Sequence, residues 1–150
     1  MSKIHVFASF DLEHDGDLYA LLLAQSLEPA SAFAISGSSQ PRTLGDLPDE
    51  VLRDALRRAD EVVVICGEHT NVSLRMSAEL VIAQEEDRPY FLLWGRRASM
   101  CTKPATAKHA DSMYSWTPGI LQDRLLSTLH RGDLRGSRVA AAKVEPDPKT

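Results

Sequence analysis

The sequence predicts an α/β domain in which a parallel sheet of about five strands carries helices on both faces. Short β-type runs alternate with helical stretches about five times, and the connecting segments are short. One run, at residues 61–66, is largely β-branched, which is typical of a central parallel strand buried on both faces. Right-handed crossovers then leave few topologies, and a flavodoxin-like strand order is the natural one for a chain of 150 residues.

In the first half of the chain, a strand predicted for residues 4–8 precedes a helix over 15–27 and a second strand at 32–35. Residues 36–41 form a loop by composition. The next helix has clear signals, because Asp46 can cap it and Pro48 suits its first turn. Arg57 and Arg58 lie in its last turn, where cations are favoured.

The second half continues the alternation. The predicted elements are a strand at 61–66, a helix at 73–86, a strand at 90–94, an edge strand at 112–116 and a helix at 118–130. Pro118 suits the start of the last helix, and Gly132 is expected to lie past its end. We therefore predict a domain over residues 1–131 and a disordered tail over 132–150, where the periodicity is weak.

Composition limits the class of protein. The chain is 43% hydrophobic and 25% charged, which is ordinary for a globular domain. Its 17 basic and 21 acidic residues give a net charge of −4, which argues against a general nucleic-acid binder. Two cysteines favour a reducing compartment over a disulfide scaffold. Without a signal-peptide core or an apolar run near the roughly 20 residues that span a bilayer, we expect a cytoplasmic protein with no membrane partner.

Ligands of such sheets bind beyond the carboxyl ends of the strands, here residues 9–15, 36–45, 67–73 and 95–103. The sequence contains neither the dinucleotide-binding nor the P-loop glycine motif. Five residues after the first strand could form a Mg²⁺ site or a solvated helix N-terminus: Asp11, Glu13, His14, Asp15 and Asp17. A receiver domain also needs an aspartate at the end of the third strand, where the chain has Cys66 and Gly67, so we predict no metal.

Three side chains admit two interpretations each. Cys66 is a nucleophile next to His69 or a buried structural thiol. His69 either orients a substrate or satisfies hydrogen bonds of its loop. Glu79, two turns into a largely apolar helix, either borders the buried face and looks toward the loops or faces solvent and pairs with Arg75.

Three segments carry a resemblance to a known family. They are VFASFD at 6–11, ADEVVVICGEHT at 59–70, and Ser73 followed six residues later by Glu79. Over roughly residues 3–130 the chain resembles the TIR-like proteins of the Thoeris antiphage system. The resemblance implies a TIR fold that consumes NAD, with Glu79 as the catalytic carboxylate. It also implies that the product is a cyclic ADP-ribose isomer that activates a separate effector. The family usually places Trp four residues before the glutamate, where this chain has Arg75.

The implied chemistry assigns roles to further residues. A carboxylate can stabilise the oxocarbenium-like centre formed when the nicotinamide–ribose bond breaks, and nicotinamide leaves without a general acid. Ser9 and Phe10 are expected to line the same crevice, with Ser9 bonded to the ribose or carboxamide. Phe10 either stacks on nicotinamide or packs in the core. Asp11 and His69 are also expected to bind substrate. Arg96, with its neighbour Arg97, either meets the pyrophosphate or belongs to a solvated basic loop.

NAD is thus the expected substrate, and no cofactor is expected. The sequence leaves linear and cyclic products open, because the outcome depends on what attacks the ribose. Self-association is expected, since TIR catalysis commonly needs a neighbouring protomer. Two other interpretations remain, namely a non-enzymatic module that self-associates and a receiver-like or nucleoside-transferase-like domain of the same architecture.

Overall fold

The computed structural model describes residues 3–40 and 49–137, except for the side chains of 49 and 128–137. Strands and helices alternate along the chain as the sequence predicts. The elements, in chain order, are β1 (Ile4–Ser9), α1 (Gly16–Ser26), β2 (Phe33–Ser38), α2 (Asp49–Arg57), β3 (Glu61–Cys66), α3 (Leu74–Glu85), β4 (Tyr90–Trp94), β5 (Met113–Ser115) and α4 (Pro118–Ser137).

The five strands form one sheet in the order β2-β1-β3-β4-β5, and every neighbouring pair is parallel. This confirms the α/β, flavodoxin-like prediction. Ser9, the last residue of β1, lies opposite Val64 of β3. The β1–β2 register shifts between Val6 and Phe7. The carboxyl ends of β1, β2 and β3 therefore meet at one edge, and the loops that follow them come together there.

The strand β3 lies at the centre of the core. All six of its residues are buried, as its β-branched run predicts. Alternate residues feed two apolar clusters, one on each face of the sheet. The first cluster contains Leu18 and Leu22 of α1 with Leu121 and Leu125 of α4. The second contains Leu56 of α2 together with Met76, Leu80, Ile82 and Ala83 of α3.

The same alternation separates two residues that the sequence places together. Phe7 belongs to the cluster on the α2 and α3 side, and Ser9, two residues later, bonds to a side chain of α3. Phe10 belongs to the cluster on the α1 and α4 side. The side chains of Ser9 and Phe10 therefore lie on opposite faces of the sheet, as successive residues of an extended chain do, and their shared crevice stays a prediction.

Most boundaries agree with the sequence, and the strands at 61–66 and 90–94 are confirmed to the residue. The last helix differs, since α4 continues through Gly132 to Ser137 instead of ending at His130. The predicted cap at Asp46 and residues 138–150 of the predicted tail lie outside the described residues. The division into a domain and a tail stays a prediction. Within the part of the chain that the structure describes, no helix has the length and apolarity to cross a membrane.

The loop after β4 approaches the end of β3 closely at Gly95. A Cβ atom there would lie 2.7 Å from the carbonyl oxygen of Cys66 and 2.7 Å from Leu18 Cδ1. Because the carbonyl oxygen accepts the Gly95 N–H at 2.9 Å, it cannot withdraw without breaking the bond. We expect Gly95→Ala to lower the free energy of unfolding by about 1–3 kcal/mol, the cost of overpacking.

Urea denaturation measures this effect. Gly119→Ala is the matched control, because a Cβ atom at that position in the first turn of α4 has nothing within 4 Å. The control should leave the stability unchanged or raise it by up to about 1 kcal/mol. Equal stability of the two variants would contradict the close approach at Gly95.

Candidate functional site

The carboxylate of Glu79 lies at the edge where β1 and β2 end. Ser73 caps α3 by accepting the N–H of Met76, which sets the first turn of the helix that carries Glu79. Glu79 is 3% exposed. Its Oε1 atom accepts hydrogen bonds from the hydroxyls of Ser9 and Ser39, each at 2.7 Å. The solvent-facing alternative is therefore wrong, and the carboxylate points toward the strand ends.

Ser39 is the residue that sequence reasoning missed. It directly follows β2, and its N–H donates to the carbonyl of Ala8 at 3.0 Å. Its hydroxyl accepts the N–H of Phe10 at 3.1 Å while donating to Glu79. The available signal was the serine-rich run that ends β2 beside the end of β1. The loop predicted for residues 36–41 is wrong at its start, because β2 continues to Ser38, and composition alone does not distinguish Ser39 from its neighbouring serines.

The Glu79 carboxylate is held by two hydroxyl groups that donate to one of its oxygens. A buried carboxylate is costly to place in a protein interior unless such partners compensate for lost hydration. Ser9 and Ser39 come from adjacent strand ends and hold the charge in a fixed position, which is what electrostatic catalysis requires of a carboxylate.

The ring of Phe10 packs in the core, as one of its two interpretations holds. It is buried and stacks on Tyr19 of α1, with ring centroids 4.6 Å apart and planes at 6°. Its link to the candidate site is its backbone N–H, which fixes the Ser39 hydroxyl. A contact between the ring and a ligand stays a prediction that the packed conformation does not favour.

Asp11 and His69 both contact a third residue, His14. The buried Asp11 carboxylate accepts the Glu13 N–H at 3.0 Å and lies 2.8 Å from His14 Nδ1. The His14 ring stacks on the His69 ring, with centroids 3.8 Å apart and planes at 19°. The hydrogen bond with Asp11 raises the pKa of His14. Substrate binding by Asp11 and His69 stays a prediction.

Three of the residues after β1 lie close enough together to hold a metal ion, and the absence of a metal stays a prediction. Ligand atoms of Asp11, Glu13 and His14 lie within 4.8 Å of one another. However, His14 Nδ1 is bonded to Asp11, and the Glu13 and His14 side chains are exposed. Exposed acidic groups of this kind are common without an ion. Asp15 and Asp17, the other two residues of the acidic cluster, both accept hydrogen bonds from Arg96.

Arg96 lies between Asp15 and Asp17. Its Nη2 atom donates to Asp15 Oδ1 at 3.0 Å, to Asp17 Oδ1 at 2.7 Å and to the His14 carbonyl at 3.0 Å. The expected solvated loop is therefore wrong for Arg96, since its donors join the β4 loop to the start of α1. A contact with pyrophosphate would have to displace these carboxylates, and it stays a prediction. Arg97 is exposed.

Asp15 is the buried partner in this ion pair. It is 1% exposed, and its Oδ2 atom has no hydrogen-bond partner among the described residues. Burial raises the pKa of Asp15, and the bonds with Arg96 oppose that shift. The carboxylate rests against Gly67, where a Cβ atom would collide with it. The start of the loop after β3 therefore needs glycine for a packing reason.

Cys66 fits the structural interpretation. It is fully buried at the end of β3, and its Sγ lies 3.9 Å from the carbonyl of Val64. Burial raises the pKa of the thiol far above its usual range. A nucleophilic cysteine requires the opposite shift.

Removal of Arg96 tests the role of the ion pair. Arg96→Met leaves the Asp15 carboxylate buried without its cation, so we expect a loss of about 3 kcal/mol in the free energy of unfolding near neutral pH. The loss should shrink as the pH falls toward 3.8, the ordinary pKa of an aspartate. Asp15 has a raised pKa in the folded state and would have a still higher one without Arg96, so protonation at low pH relieves the penalty.

Urea denaturation at pH 4.5 and pH 7.5 measures both effects. The control is Arg97→Met, which removes an exposed cation from the adjacent position. A deficit of the same size at both pH values would show that Arg96 stabilises the fold by packing and not by its charge.

Comparisons with known proteins bear on the fold. No protein-family model matches the chain, and no curated protein matches it. The TIR domain of the Toll-related receptor TRR-2 from the lower metazoan Hydra magnipapillata is similar in structure, with a TM-score of 0.53 and 15% sequence identity. The match covers 87% of this chain and 97% of that one. A prokaryotic SEFIR domain covers 99% of this chain and 100% of its own at a TM-score of 0.48 and 18% identity. The chain has a TIR-like fold.

Proposed function

We propose that the protein cleaves the nicotinamide–ribose bond of NAD, with Glu79 as the catalytic carboxylate. The observation that carries the proposal is a buried carboxylate at the carboxyl edge of a parallel sheet, held by the hydroxyls of Ser9 and Ser39. Ligands of open α/β sheets bind at this edge. The resemblance of residues 59–70 and of the Ser73 to Glu79 spacing to Thoeris proteins supports NAD as the substrate.

Glu79 would act through its charge. When the bond between the ribose and the pyridinium nitrogen breaks, the electron pair leaves with nicotinamide and positive charge develops on the ribose. A fixed carboxylate beside that ribose lowers the energy of the charged state. Ser9 and Ser39 keep the carboxylate in position, and either hydroxyl could exchange its bond with Glu79 for one with a ribose hydroxyl. Water as the acceptor gives ADP-ribose, and a group of the same molecule gives a cyclic isomer.

The product would serve as a signal. In the Thoeris system a cyclic ADP-ribose isomer made by the TIR-like protein activates a separate effector, and we propose the same place for this chain in cytoplasmic antiphage defence. The burial of Glu79 supports an enzyme that is held at low activity until the edge of the sheet opens. Association with a second copy of the chain is the event that we propose opens it.

A second candidate is a non-enzymatic module that works by self-association. Three large apolar side chains near the start of α3 favour it: Val72 at 68% exposed, Leu74 at 86% and Met100 at 75%. Their segments are joined, because Thr102 Oγ1 accepts the N–H of Asn71 at 3.0 Å. Release of nicotinamide from NAD distinguishes the two candidates, since a scaffold releases none.

Glu79→Gln tests the catalytic assignment. Glutamine keeps the size of the side chain and an oxygen for the two serine hydroxyls but removes the negative charge. We expect nicotinamide release to fall by about 10²-fold or more, as in other deletions of electrostatic stabilisation, with an unchanged circular dichroism spectrum. Glu85→Gln on the same helix is the control, because that side chain is half exposed and pairs with Arg53. Turnover by Glu79→Gln at the parent rate would refute the assignment.

Ser39→Ala tests the support of the carboxylate. It removes a donor to a buried carboxylate, so the free energy of unfolding should fall by about 1–3 kcal/mol. Turnover should fall by less than in Glu79→Gln, because the charge remains while its position becomes less fixed. If Ser39→Ala lowered turnover as much as Glu79→Gln does, the Ser39 hydroxyl would have a direct role in catalysis.

Assembly should control the rate. We expect the specific activity to rise with protein concentration in parallel with the mass measured by light scattering. Leu74→Asp, which places a charge on the most exposed of the three apolar side chains, should lower both together. Full turnover by a strict monomer at high dilution would contradict activation by association.

A further inference from the structure

The strongest aromatic surface at the carboxyl edge is the stacked pair His14 and His69. The two imidazoles come from the loops after β1 and β3, which are neighbouring strands of the sheet. Their centroids are 3.8 Å apart, and both residues are exposed. The ring of Phe10, the other aromatic candidate, is buried against Tyr19. A planar ligand ring at this edge would therefore meet imidazole first.

His14 is held in place before any ligand arrives, and the His69 ring stacks on it. Asp11 is buried and binds His14 Nδ1 at 2.8 Å, which sets the orientation of the ring. Arg96 holds the carbonyl of His14 at 3.0 Å and so restrains the backbone of the same residue. A preorganised aromatic surface loses little side-chain freedom on binding, which improves affinity for a flat ligand.

The charges around the pair select the kind of ring. Because Asp11 raises the pKa of His14, this ring carries a larger share of positive charge near neutral pH than a free imidazole does. A positively charged imidazolium attracts the face of a neutral, electron-rich ring and repels a pyridinium cation. The exposed carboxylates of Glu13 and Glu68 lie in the same two loops and can accept hydrogen bonds from an exocyclic amine. The carboxylates of Asp15 and Asp17 are less suited to accept from such an amine, because both already accept hydrogen bonds from Arg96.

We propose that the His14 and His69 stack binds the purine base of the substrate, while Glu79 faces the ribose at its nicotinamide end. The role given to Glu79 in this assignment rests on the proposed cleavage of NAD. Asp11 is two residues beyond Ser9, so their Cα atoms are at most about 7 Å apart. A dinucleotide can span the edge from the serine-bound carboxylate to the histidine pair.

Binding of fragments tests the purine site without catalysis. The imidazole Hε1 and Hδ2 signals of the full chain are followed by NMR as adenosine monophosphate, nicotinamide mononucleotide or ribose 5-phosphate is added. We expect adenosine monophosphate to shift the His14 and His69 signals, with nicotinamide mononucleotide weaker by about fivefold or more and ribose 5-phosphate without effect. His5, exposed on the opposite end of β1, is the internal control. Unmoved His14 and His69 signals, or equal shifts with both nucleotides, would overturn the purine site.

Variants of His69 separate stacking from folding. His69→Ala should weaken the binding of adenosine monophosphate by about fivefold or more, the loss expected when one base–aromatic stack is removed. His69→Phe keeps a flat ring and should bind within about twofold of the parent, and His5→Ala should bind as the parent does. Poor binding by His69→Phe with an intact fold would overturn a stacking role for this residue.

Kinetics links the site to NAD. His69→Ala should raise the KM for NAD by about fivefold and leave kcat within about twofold, because the base lies away from the bond that breaks. If adenosine monophosphate binds as expected and the assembled parent still releases no nicotinamide, the purine site stands and the proposed cleavage fails. If nicotinamide is released and the KM of His69→Ala is unchanged, the cleavage stands and the purine site fails.

Discussion

The burial of one carboxylate governs the local structure of the carboxyl edge. A Glu79 side chain that is 3% exposed needs hydrogen-bond donors close by, and the chain supplies them from two strand ends. Ser9 can reach it because β1 extends to that residue with its side chain on the α3 side. Ser39 can reach it because its own N–H is bonded to Ala8 and its hydroxyl to the Phe10 N–H. The ends of β1 and β2 are thus coupled to α3 through a single oxygen atom.

The carboxyl edge of the sheet contains two polar units. The unit of Ser9, Ser39 and Glu79 joins the strand ends to α3. The other unit begins at Asp11 and continues through His14 to His69, and Arg96 connects it to the start of α1. Ser9 at the end of β1 belongs to the first unit, and Asp11 in the loop that follows belongs to the second. The loop from Ser9 to Asp11 therefore fixes the separation of the two groups that the proposed substrate would have to bridge.

The sequence predicts the framework better than the contacts at the edge. The β-branched run of β3 and the apolar run of β4 determine their own boundaries, because burial on both faces leaves no alternative for such segments. The predicted end of α4 at residue 130 is wrong, because glycine often follows a helix end whereas Gly132 lies within this helix. A glycine lowers helix propensity by about 1 kcal/mol, which neighbouring helical residues can offset.

Contacts between distant residues explain the remaining differences. Arg96 and Asp15 are separated by 81 positions, and no local pattern indicates that they pair. Ser39 is 40 positions from Glu79, so its role depends on the strand order and on the register of β2 against β1. Glu79 could be selected from the sequence through its resemblance to a known family, because the pattern of its helix leaves a buried and a solvent-facing position open. The sequence indicates Ser9 near the site but not Ser39, the second donor to the carboxylate.

The same bonds that stabilise Glu79 also oppose its use. A carboxylate that accepts two short hydrogen bonds and is 3% exposed is poorly placed to meet a solvated dinucleotide. If the serine hydroxyls turned toward a ribose, the ligand would have to replace the bonds that Glu79 loses, and water entering the opened edge would compete for them. The histidine unit differs, because its rings are exposed while their orientation is already fixed. A substrate held there first would bring its ribose to the edge at high effective concentration, so that binding at the exposed unit could offset part of the cost of opening the buried one.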